Sequence, residues 1–109
     1  MSDNLQIKRG DTSPGIKYDL SPADITLAGA SVRFQMEDRA RVTVIDAVAT
    51  IDQTTAPPIV SYAWQPQDTE TPGPYQAEFR VEYADGSIET FPNSGFINVT
   101  ISRDVADLD

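Results

Sequence analysis

The sequence predicts an all-β chain, a sandwich or barrel of about seven or eight short strands. Three observations carry this. Residues 74–83 alternate without a break, with Tyr75, Ala77, Phe79, Val81 and Tyr83 apolar or aromatic and Gln76, Glu78, Arg80 and Glu82 polar. A period of two puts one set on each face of a strand. Asp85-Gly86 then separates this run from Ile88-Glu89-Thr90-Phe91, a hairpin signal because Gly supplies the positive φ of a tight turn. Finally, eight prolines and six glycines fall mainly between the apolar runs, as a turn-rich β domain requires, and no stretch of useful length has a helical period.

Taken in order, residues 1–4 are polar and expected to be loose. Leu5-Gln6-Ile7-Lys8 alternates and reads as a first, edge strand. Arg9 to Gly15 is a loop punctuated by Gly10, Pro14 and Gly15. Residues 16–20 alternate as a second strand. Ser21-Pro22 before Asp24 allows one helical turn, since Pro is tolerated at a first helical position. Residues 30–37 form a third strand with Val32, Phe34 and Met36 facing in. Residues 41–46 and 47–52 are rich in β-branched side chains and read as one long strand or two short ones. Pro57-Pro58 breaks the ladder. Residues 59–64 place Val60, Tyr62 and Trp64 on one face, with Trp64 a central plug. A polar connection (65–73), the hairpin, and a last strand (96–101) follow. The acidic end, 103–109, is expected to fray or dock on a neighbour.

Composition excludes several function classes. The chain of 109 residues carries a formal net charge of −9, which disfavours nucleic acid and anionic membranes as partners. It has no Cys and no His, so thiolate chemistry, the commonest general base and the commonest transition-metal ligand are missing. No nucleophile motif appears, and the chain is not expected to be an enzyme or to carry a cofactor. The start lacks a secretory leader pattern. The chain reads as one domain, 1–109.

Few short motifs suggest chemistry. Asp68 and Glu70, with Asp85, are scattered loop acids rather than a glycosidase pair or a calcium loop. Arg9-Gly10-Asp11 is a three-residue match to an integrin-type motif, too short to be specific, and reads as a β-turn between two strands with Gly at a position needing positive φ. Asn98-Val99-Thr100 is a glycosylation sequon lying on an alternating strand. With a two-residue Asp85-Gly86 turn, Ile88 lies opposite Tyr83 and Thr90 opposite Val81. Phe91 then points off the core face, either into a second apolar layer or as an interface anchor.

Several of these runs together resemble a known family. They are Trp64 closing a strand, Asp68-Thr69, Pro72-Gly73-Pro74-Tyr75, Ala77-Glu78-Phe79, Asp85-Gly86 and Phe91-Pro92-Asn93, with Gly10-Asp11-Thr12 and Leu27-Ala28-Gly29-Ala30 upstream. In this order they resemble the N-terminal domain of the tailed-phage baseplate upper protein family. The resemblance implies an immunoglobulin-like antiparallel β-sandwich. It also implies a structural component of a bacteriophage virion, docked on tail or baseplate proteins in a symmetric multi-copy assembly. Neck or capsid-surface decoration and a carbohydrate-binding host-adhesion module are the alternatives. On the virion reading, Phe91, Asp68, Glu70, Pro72 and Asp107 are the expected interface residues.

Overall fold

The computed structural model describes residues 3–20, 27–52, 54 and 58–103. Nine strands are found among them. They are β1 (Asp3–Lys8), β2 (Ile16–Asp19), β3 (Ser31–Glu37), β4 (Thr43–Val48), β5 (Thr50–Asp52), β6 (Ile59–Tyr62), β7 (Gly73–Glu82), β8 (Ile88–Phe91) and β9 (Ile97–Ser102). One 3₁₀ turn, Pro66–Thr69, precedes β7. The larger sheet runs β1-β9-β7-β3-β4, with β8 also on β7; the smaller runs β2-β6-β5. The two pack face to face, so the chain is a β-sandwich as the alternation predicted. The turn expected at 21–26 and the tail beyond Arg103, with Asp107, lie outside the described residues.

Strand β7 organises the large sheet. Along one side it pairs with β3, from Gln76 to Glu82. Along the other, Gly73–Ala77 takes β9 and Phe79–Glu82 takes β8. The β-branched run 43–52 is two strands in different sheets. It crosses at Ala49, whose N–H donates to the Val32 carbonyl at 2.8 Å before Thr50–Asp52 pairs with β6. Asp3 and Asn4 are not loose: β1 starts at Asp3 and pairs with β9. That pairing is parallel, so the sheet is not wholly antiparallel.

The inner faces meet on aromatic rings. Phe34 stacks on Tyr62 at 4.7 Å between centroids, meets Trp64 edge-on at 5.7 Å, and lies 5.2 Å from Phe79. Phe34 and Phe79 come from the large sheet, Tyr62 from the small one, so these contacts join the layers. Each large apolar side chain so buried stabilises the fold by about 1.5–3 kcal/mol. Trp64 is the expected plug, buried, with no hydrogen-bond partner for its Nε1–H among the described residues.

The hairpin differs from the expected one by a single residue. Val81 pairs with Glu89, and Phe79 with Phe91. Gly86 N–H donates to the Tyr83 carbonyl at 2.9 Å and Tyr83 N–H to the Ser87 carbonyl at 2.8 Å. The turn is thus a longer loop ending in a left-handed glycine, Gly86 at φ 90°, rather than a two-residue turn. A one-residue slip moves every side chain of the return strand to the other face. Phe91 is therefore in the core, 2% exposed, and Ile88 is outside at 50%. The outward Phe91 expected from sequence is corrected accordingly.

The β3–β4 turn has the same wiring. Arg41 N–H donates to the Asp38 carbonyl and Asp38 N–H to the Val42 carbonyl, both at 3.0 Å. Here the left-handed position is held by Arg41, at φ 64°.

Candidate functional site

The outer face of the large sheet is the candidate docking surface. Because side chains alternate, the strands that send Val32, Phe34, Met36, Ala77 and Phe79 inward send Arg33, Gln35, Glu37, Gln76, Glu78 and Arg80 outward. Cross-strand register then sets Gln35 beside both Asp46 and Glu78, and Glu37 beside Gln76. A shallow groove of about 140 Å³ runs between them, with Phe96 at its margin. Beside it, edge strand β4 and the turn before it expose Val42, Val44 and Val48 at 56%, 47% and 73%.

Electrostatics divide this face. Arg33 Nε donates to Asp46 Oδ1 at 2.7 Å and its Nη2 to the Asp46 carbonyl at 2.9 Å. This contact holds the Asp46 carboxyl below its ordinary range. Glu78 moves the other way: partial burial, then the charge of Glu37, raises its carboxyl. The face therefore offers carboxylates, amides and apolar side chains. It brings together no nucleophile and base, and no group of three or more metal-ligating side chains occurs among the described residues.

The residues singled out from sequence are dispersed. Asp68 is a structural clamp. Its Oδ2 accepts from Tyr62 Oη at 2.6 Å and from Gln65 N–H at 2.8 Å, which ties the 3₁₀ turn to β6. Asp68, expected from sequence at an interface, thus has a bonding role within the fold and is half-buried. Burial first, then that hydrogen bond, pushes the Tyr62 phenol upward. Glu70 and Pro72 are exposed on the following loop, and Phe91 is buried. Arg9-Gly10-Asp11 is a turn: Asp11 N–H donates to the Lys8 carbonyl at 3.0 Å, and Gly10 takes φ 82°. Its backbone is bound to Thr69, whose Oγ1 donates to the Asp11 carbonyl at 2.9 Å. The sequon is an ordinary strand, with Asn98 and Thr100 outward and Val99 in the core. The outer-face groove was not singled out. Its polar side chains are visible in the alternation, but their adjacency depends on which strands become neighbours.

The chain matches no family model and no curated protein. Solved structures share its fold. CopC from Methylosinus trichosporium OB3b superimposes with a TM-score of 0.57 at 19% identity, covering 94% of this chain and 86% of that one. PcoC, a methionine-rich copper resistance protein from Escherichia coli, gives 0.51 at 14% identity over 93% and 89%. At such identities the likeness is one of fold.

The residues here do not fit copper. The chain has no His or Cys and two Met. Met36 is 1% exposed in the core, and Met1 lies outside the described residues. Soft sulfur and imidazole donors are what copper sites are built from. The comparisons also correct the expected biology. The structures found with this fold are CopC and a copper resistance protein, not tail, baseplate, neck or capsid proteins. The virion role, the phage partners in a multi-copy assembly, the virion localisation and the host-adhesion alternative are accordingly withdrawn.

Proposed function

We propose that the protein is a non-enzymatic binding module, a β-sandwich that docks a partner protein on the outer face of its larger sheet. One observation carries the reading: Val42, Val44, Val48 and Phe96 are exposed beside a polar groove, on a fold whose described residues assemble no reactive group. Exposed apolar side chains grouped and rimmed by polar ones mark interaction surfaces. The motif resemblance noted above is read as a kinship of domain type only, an immunoglobulin-like module. The test places a photo-crosslinking residue at position 48, and as a control at position 17 on the smaller sheet, in the native host. A discrete adduct at 48 alone is expected. No adduct at 48, or the same adducts at both positions, overturns the reading.

Copper handling is the second reading, favoured by the shared fold. It requires that a partner supply the ligands, because this chain lacks them. Competition against a chromophoric Cu(I) chelator is expected to show no stoichiometric binding by the purified protein. Stoichiometric retention would restore direct copper binding.

A further inference from the structure

A second, larger concavity of about 400 Å³ opens beside the β3–β4 turn. Arg39 and Arg41 line it from the turn, and Gln76, Asn98 and Thr100 line it from the outer face of β7 and β9. Two guanidinium groups thus share one cavity in a chain of net charge −9. The acid that lines the same concavity is already engaged: Asp38 Oδ1 accepts from the N–H groups of Ala40 and Val42, at 2.9 and 3.0 Å. Neither Arg39 nor Arg41 pairs with a described carboxylate.

The conformation of Arg41 is the second observation. It holds φ 64°, the left-handed region that disfavours every residue with a Cβ except a few short polar ones. The equivalent position of the other hairpin is Gly86. The β3–β4 turn thus keeps a guanidinium where a glycine folds more easily. Backbone outliers of this kind collect at ligand-binding sites.

We propose that the turn and its concavity form an oxyanion site for a small polyanion. Arg39 and Arg41 take a carboxylate or phosphate group through their paired N–H donors. The amides of Gln76 and Asn98 and the hydroxyl of Thr100 bond the body of the same molecule. Asp38 supplies turn geometry and, as a fixed negative charge on the wall, disfavours ligands whose charge lies next to it. This site needs no partner protein and stands or falls separately from the docking face.

The test is a titration of the isotopically labelled protein with citrate and, separately, inorganic phosphate at low salt, read by amide chemical shifts. Saturable shifts are expected at residues 38–42, 76, 98 and 100, weakening as salt is added. The tighter of the two anions tells a polycarboxylate from a phosphate ligand. The double variant Arg39→Gln/Arg41→Gly keeps the turn, since glycine suits its geometry, and is expected to bind about tenfold or more weakly. Absence of saturation with both anions overturns the proposal. So does unchanged affinity in the folded double variant.

Discussion

Replacing Phe91 by alanine tests the hairpin register more sharply than any other single change. Phe91 is 2% exposed, pairs with the fully buried Phe79, and its ring lies 6.4 Å from that of Tyr18. Truncating such a ring removes its transfer free energy and leaves a cavity, together about 3–5 kcal/mol. That is a large part of the roughly 5–15 kcal/mol by which domains are stable. At about 5 °C per kcal/mol, the midpoint of thermal unfolding falls by about 15–25 °C. Ile88→Ala is the control. Ile88 is 50% exposed on the opposite face, and its truncation costs less than about 1 kcal/mol. Urea unfolding measures both, with the shift in midpoint at constant slope giving the difference. In the register with Ile88 opposite Tyr83 the two residues exchange faces, and the order of the effects reverses. A loss below about 1 kcal/mol for Phe91→Ala, or a larger one for Ile88→Ala, refutes the register and the core built on it.

Two further outcomes follow. Arg41→Gly relieves the left-handed backbone and raises stability by about 1 kcal/mol in calorimetry, whereas a fall in the midpoint shows that the Arg41 side chain packs more than its exposure suggests. At high pH, burial and the hydrogen bond to Glu89 push the Tyr83 phenol up to about 12, and burial and Asp68 raise Tyr62 as well. The unfolded chain ionises its phenols near pH 10, so their contribution is complete below that pH and is lost as pH rises through the folded values. Tyrosinate absorbance should therefore lag behind that of the denatured protein, and an early, complete titration of the folded chain contradicts these contacts.

The strands were legible because their inward sets are unbroken: Val32, Phe34 and Met36 on β3, and Ala77, Phe79 and Val81 on β7, are all buried. The return strand was not. Ile88-Glu89-Thr90-Phe91 has an apolar residue at each end, so alternation fits either face. Two turn types share the Asp85-Gly86 signature, and the structure takes the one that buries Phe91. The inward Glu89, half-buried and bonded by Tyr83 Oη at 2.7 Å, obscured the pattern further. The candidate surface was illegible for a related reason. Gln35, Asp46 and Glu78 are far apart in the chain and become neighbours only through strand order. Asp68 has a bonding role that no motif reveals, because its Oδ2 serves a hydroxyl and a backbone amide, whereas Glu70 is the exposed loop acid that its setting predicts.

The parallel pairing of β1 with β9 has a consequence for how the protein is made. Residue Asp3 finds its partner at Ile97, and Lys8 at Ser102. The first of the described strands is thus held by the last of them, and until β9 has been made β1 lacks the strand it pairs with in the sheet. Contacts between distant parts of a chain are slow to form. β7 and β3 can meet earlier, with β8 closing locally on β7, before β1 has its partner. The exposed ladder groups of β1 are those another chain could capture, which makes the interval before β9 appears the period of greatest risk to the fold.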